Sequence, residues 1–139
     1  DIFLKIKNNF IKKNFQLIVV PSIRTPDKII QKAKSFFDEK QIIITVVDKK
    51  AYLSSLKLSE YIVITCDSTS MISEAAITGK PIYVARMPSI KKSTRFNKFF
   101  KLFEDLNIIR NLDSNIDNWT YQSLDETNRI AKEIKRKLS

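Results

Sequence analysis

The stretch from Tyr61 to Arg86 restricts the choice of fold more than any other part of this chain. It reads as strand, polar turn, helix, glycine stop and strand. Tyr61 to Thr65 is a short β-branched run, the pattern of a strand buried in a parallel sheet. Asp67, Ser68, Thr69 and Ser70 follow as a turn rich in hydroxyls and backbone N–H groups. Met71 to Thr78 is predicted helical, Gly79 suits the position just past a helix end, and Pro81 prevents continuation. Ile82 to Ala85 is the next strand. Such a strand–helix–strand unit sets the polar turn at the carboxyl end of a strand and the start of a helix. Open α/β sheets bind phosphorylated ligands at that place.

The flanking sequence repeats the alternation. Ile2 to Lys13 carries Phe3, Ile6 and Phe10 at helical spacing. Gln16 to Pro21 is predicted as a strand. Thr25 is expected to cap a helix with Pro26 at its first position and Ile29, Ile30, Ala33, Phe36 and Phe37 on one buried stripe. Ile42 to Val47 is a further β-branched strand. Asp48 caps a short helix with apolar Leu53, Leu56 and Leu58. Beyond the central unit, Met87 to Ser93 is a polar loop. Ser93 or Thr94 then opens a helix bearing Phe96, Phe99, Phe100, Phe103 and Leu106, a core stripe. Ile108 to Leu112 is a final short strand, Asp113 to Asn118 a loop, and Ser123 to Leu138 a last amphipathic helix. Strands alternating with helices call for a mainly parallel sheet covered on both faces.

Composition removes several chemistries. The 139 residues include no histidine, so Ser-His-Asp triads, Cys-His pairs and imidazole zinc sites are excluded within the chain. Cys66 stands alone, with no second cysteine for a disulfide and no histidine to activate it. A single glycine excludes a Gly-x-Gly-x-x-Gly loop, so a phosphate site here must use Ser/Thr turns and a helix start. No segment is apolar for long enough to span a bilayer. The net charge of +10 is mostly scattered lysine. That balance suits a solvated basic surface, and also serves a polyanion or an anionic membrane. Aromatic residues interleaved with arginine are not evident, so nucleic acid is not the favoured partner.

The candidate site residues lie at expected strand ends. Ser68, Thr69 and Ser70 offer backbone and hydroxyl donors to a diphosphate, where an ordinary helix cap needs only one of them. Arg24 follows a strand and precedes a helix, which puts it on the same sheet edge, and arginine clamps phosphate bidentately. Lys91, Lys92 and Arg95, beyond the next strand, complete a basic rim. Glu74 is expected in the first turn of the central helix, where an acid complements the helix dipole.

These residues also carry a resemblance. Asp67-Ser-Thr-Ser-Met-Ile-Ser-Glu-Ala75 followed by Gly79-Lys-Pro81 resembles the signature of the mitochondrial-fission elongated-mitochondria family. That family is similar in turn to the nucleotide-sugar-binding half of GT-B glycosyltransferases and of UDP-N-acetylglucosamine 2-epimerase. Ser22-Ile-Arg-Thr-Pro26 resembles a second family motif, with Ile23 in place of an arginine. Tyr52 stands where the family has Asn-Pro-Tyr, with Lys50 and Ala51 in place of the first two residues. Lys91, Lys92, Arg95 and Phe96 resemble a third motif. The resemblance implies an α/β three-layer Rossmann-like domain, the carboxyl-terminal half of a GT-B protein whose amino-terminal half is absent from residues 1–139. It implies a nucleotide-sugar donor as ligand, with Arg24 and Ser68 to Ser70 on the diphosphate and Glu74 on the ribose hydroxyls. It implies no tightly bound metal or cofactor, and an isolated domain that is inactive. The rival implication is a non-enzymatic scaffold that recruits a partner at a membrane surface. Either role places the protein in the cytoplasm, with peripheral membrane contact in the second case.

Overall fold

The computed structural model describes residues 2–23, 25–65, 69–85, 94–113, 116–123 and 135–136, the side chains of residues 69 and 94–96 excepted. The chain divides into two compact units, Asp1–Leu58 with Asp113–Ile116, and Ser59–Leu112 with Asp117–Ser139. Both are built from parallel strands joined through helices, as an α/β Rossmann-like fold requires. The strands form two ladders, one in each unit.

In the first unit, helix α1 (Ile2–Asn9) buries Ile6 and Asn9, and Phe10 follows into the core. The predicted helix reached Lys13. A 3-10 turn, Ile11–Lys13, replaces its end, and Asn14 at φ 69° stops it in a conformation asparagine tolerates better than most residues. Strands β1 (Ile18–Val19) and β2 (Ile42–Ile43) pair in parallel, Ile18 opposite Ile42. Helix α2 (Asp27–Phe36) buries Ile30 and Ala33, and Phe37 beyond it is also buried. The rings of Phe36 and Phe37 lie 5.8 and 5.3 Å from that of Phe3. Helix α3 is Lys49–Leu58.

Two local expectations need correction here. Thr25 does not cap α2. Its Oγ1 accepts the Ser22 N–H at 2.9 Å and closes the turn between them, leaving Pro26 as the cap residue without a side-chain bond. The strand predicted over Ile42 to Val47 is two residues long, and Val46 and Val47 beyond it are exposed. The expected cap at Asp48 is present: its Oδ1 accepts the Lys50 and Ala51 N–H groups at 3.0 and 3.2 Å.

The second unit holds β3 (Ile62–Ile64), β4 (Ile82–Val84) and β5 (Ile109–Asn111), all parallel in the order β3-β4-β5. Tyr83 and Val84 are almost fully buried and Ile82 completely so, as β-branched central strands should be. Helix α4 (Thr69–Ile77) packs on β3 and β4 through Ile72, Ala75 and Ala76, and small residues there let the backbones approach. Helix α5 (Thr94–Asp105) buries Phe99, Phe100 and Phe103, three members of the aromatic stripe read from the sequence.

Gly79 ends α4 at φ +73°, the left-handed position expected of it. A Cβ there meets only Ser123 Cβ, at the ordinary contact distance of 3.8 Å. The cost of a side chain is therefore conformational. Gly79→Ala is expected to lose about 1–2 kcal/mol in chemical denaturation, and Gly79→Asn less, because asparagine visits this region. Equal stability of all three proteins would show that the turn relaxes out of it.

Candidate functional site

The parallel sheet of the second unit dictates where ligand-binding groups can gather. α4 joins β3 to β4, and α5 joins β4 to β5, so both helices run back against the strand direction. Their N-termini therefore lie on the carboxyl edge of the sheet. The first turn of any helix leaves its N–H groups without intrahelical partners and carries the positive end of the helix dipole. Two such turns, beginning at Thr69 and Thr94, face the same edge.

Helix α4 starts at Thr69, two residues earlier than its periodicity suggested. Isoleucine and alanine at positions 72, 75 and 76 set the buried face, and the turn residues Thr69 and Ser70 join the helix in front of it. This moves Glu74 out of the first turn, where it was expected, into the second. Ser70, Glu74 and Ile77 are exposed and recur at helical spacing, so they share the solvent face of α4. Among the described residues, the Glu74 carboxylate has no hydrogen-bond or ion-pair partner. The chain thus combines, on one helix, an anion-favouring start and an accessible carboxylate one turn further on.

Of the other predicted site residues, Arg24, Ser68, Lys91 and Lys92 lie outside the described residues, as does Cys66. Thr69 and Arg95 are placed by their backbones alone, each in the first turn of its helix. The expectation that Arg24 shares a cleft with Ser70 therefore lies outside the described residues as well.

The opposite, amino-terminal edge of the sheet holds a device that the sequence did not disclose. Residues 117–123, where the sequence suggests a loop as far as Asn118 and a helix from Ser123, form a strap without helix or strand. Trp119 is buried, meets the Tyr83 ring edge-on at 5.2 Å, and donates Nε1–H to the Asn107 carbonyl at 2.8 Å. The Arg110 guanidinium lies 4.0 Å from the indole centroid and 3.4 Å from Asp117 Oδ2. The Tyr83 hydroxyl accepts the Asp117 N–H at 2.7 Å. Tyr121 and Ser123 donate their hydroxyls to the carbonyls of Lys80 and Ile77 at 2.5 and 2.6 Å. Burial pushes the Tyr121 phenol up to about 12, and burial likewise raises that of Tyr83. Both hydroxyls are therefore protonated at neutral pH, and their hydrogen bonds fasten the strap. Ser123 belongs to this strap and not to the predicted last helix; of that helix, only Lys135 and Arg136 are described, and both are helical.

No helix of the described residues is long and apolar enough to cross a membrane. Comparison with known proteins adds what geometry alone does not. The chain is 29% identical over 123 residues to the Mitochondrial fission protein ELM1 of Arabidopsis thaliana, covering 85% of this chain and 28% of that protein. It is 33% identical over 87 residues to the uncharacterized protein RP120 of Rickettsia prowazekii (strain Madrid E), covering 60% of this chain and 24% of the relative. The chain thus spans about a quarter of the length of these two relatives. No solved structure matches it. The family model for Mitochondrial fission ELM1 matches residues 1–138. With almost its whole length matched and an α/β fold in accord, the chain belongs to the mitochondrial fission ELM1 family.

Proposed function

We propose that the carboxyl edge of the β3-β4-β5 sheet binds the nucleoside diphosphate of a nucleotide sugar, in a protein of glycosyltransferase-like or epimerase-like activity. The observation behind this reading is the pairing, on α4, of a hydroxyl-bearing helix start with an exposed Glu74 carboxylate. Thr69 to Glu74 spans about 7.5 Å along a helix axis, comparable with the reach from the phosphates of such a ligand to its ribose. The diphosphate takes the N–H groups and dipole at Ser68 to Ser70, and the carboxylate accepts the ribose hydroxyls. Lys91, Lys92 and Arg95 supply the basic rim. Acceptor binding and any catalytic base belong to parts of the protein beyond residues 1–139.

Glu74→Gln tests this directly. It keeps size and helix propensity while removing the charged acceptor. Loss of a charge-assisted hydrogen bond lowers affinity roughly ten- to hundredfold, read by nucleoside-diphosphate titration. Melting should barely change, because an exposed second-turn acid contributes little to stability. Equal affinity of wild type and variant would remove Glu74 from the site.

An interaction role is the second proposal, and the name of the Arabidopsis relative, a mitochondrial fission protein, favours it. In that case the α/β shell serves as a scaffold, and no nucleoside diphosphate or sugar nucleotide shifts the melting of the chain.

A further inference from the structure

Helix α3 and the two residues before its cap present an exposed surface of lysine and aliphatic side chains in the first unit. None of the ten residues of α3 is buried. Lys49, Leu53 and Lys57 recur every four positions, forming one stripe with Lys50 beside it, and all four side chains are exposed. Val46 and Val47 carry apolar surface up to the start of the stripe at 67% and 57% exposure, and Leu53 lies within it at 48%. The acid of the segment, Asp48, is engaged at the helix start by the Lys50 and Ala51 N–H groups.

Residue chemistry separates the partners such a surface could take. Three lysines against one aspartate call for an anion. Protein interfaces favour tryptophan and arginine and are depleted in lysine. Single-stranded nucleic acids call for exposed aromatic stacking platforms. Residues 46–58 contain no arginine, tryptophan or phenylalanine, and Tyr52 is half-buried. Exposed aliphatic side chains between lysines match a lipid surface, where lysine stems lie along the acyl boundary and their ammonium groups stay at the headgroups.

We propose that Val46–Leu58 is a docking surface for an anionic lipid bilayer, with Lys49, Lys50 and Lys57 at the headgroups and Val46, Val47 and Leu53 at the acyl boundary. The test is co-sedimentation of the 139-residue chain with phosphatidylcholine vesicles, with and without phosphatidylserine. Binding is expected only to the anionic vesicles and should weaken as salt is raised. Replacing Lys49, Lys50 and Lys57 together by Gln should lower it about a hundredfold, at about fivefold per lysine. Replacing Lys12, Lys13 and Lys28 by Gln removes the same charge elsewhere and should leave most of the binding. A Val47→Thr, Leu53→Gln double variant should also weaken it, because the apolar contact is lost. Circular dichroism of each variant checks that helix content is retained. Equal binding to neutral vesicles overturns the proposal, as does an equal loss in both lysine sets, which reduces the effect to net charge. Full binding by the Val47/Leu53 variant overturns it as well. So does failure to bind vesicles while a homopolymeric RNA is bound through the α3 lysines.

Discussion

Trp119→Ala is expected to destabilise the chain by about 3–5 kcal/mol, the range for removing a buried aromatic side chain. The indole is buried, packs edge-on against Tyr83 and supports the Arg110 guanidinium on its face. It also gives Asn107 O its hydrogen bond. Truncation removes all of these contacts together and loosens the strap from the amino edge of the sheet. A domain has about 5–15 kcal/mol in total, so the variant should melt many degrees lower and in a broader transition. Trp119→Phe keeps most of the ring but leaves the Asn107 carbonyl without its donor, and should lose about 1–3 kcal/mol. Thermal and urea denaturation measure both. A Trp119→Ala protein as stable as wild type would mean that the strap only lies on the sheet and does not hold it.

The second large effect is at Phe103. This side chain has no exposed surface and stacks on Phe99 with ring centroids 4.2 Å apart. Its backbone carbonyl also accepts the Ile108 N–H at 2.9 Å where the chain turns from α5 into β5. Phe103→Ala should lose about 3–5 kcal/mol, from lost transfer energy and the cavity left behind. Phe103→Leu keeps most of the volume and should cost less than about 1.5 kcal/mol. The expected signature in urea is a lower midpoint with an unchanged slope, because the folded state stays compact. A loss under about 1 kcal/mol for Phe103→Ala would show that α5 collapses to fill the space, and that the stripe is more plastic than its close stacking suggests.

The proposed ligand edge and the strap lie at opposite ends of the same parallel strands. That arrangement makes the strap variants useful controls for Glu74→Gln. Trp119→Phe should alter melting with little change in nucleoside-diphosphate affinity, while Glu74→Gln should do the reverse. A shared loss in both would mean that ligand binding reports the stability of the sheet and not a particular carboxylate.

Features that rest on a few neighbouring residues were legible from the sequence. Gly79 ends α4 because only a residue tolerant of positive φ fits the turn, and Pro81 follows to stop the helix. Asp48 caps α3 because a carboxylate two or three residues upstream reaches free N–H groups. Phe99, Phe100 and Phe103 of α5 face inward because their spacing matches the helical turn. The alternation of these elements was enough for parallel strands and an α/β fold.

Tertiary structure decided what local signals leave open. α4 begins at Thr69 and not at Met71, which puts Glu74 in the second turn, because hydroxyl residues serve equally in a turn and in a helix start and periodicity does not choose between them. Thr25 went to a turn with Ser22 and not to a helix cap, since one hydroxyl had two acceptable uses and periodicity does not choose between them. β2 is short because strand length depends on how far a partner runs alongside, and the paired register with β1 covers only Ile42 and Ile43. The strap was invisible for the same reason in stronger form. Several of its bonds join residues 34 to 46 positions apart, such as Tyr83 with Asp117 and Ser123 with Ile77. No periodicity within the strap announces them, because its side chains answer to the sheet edge they cover and not to their own neighbours in sequence.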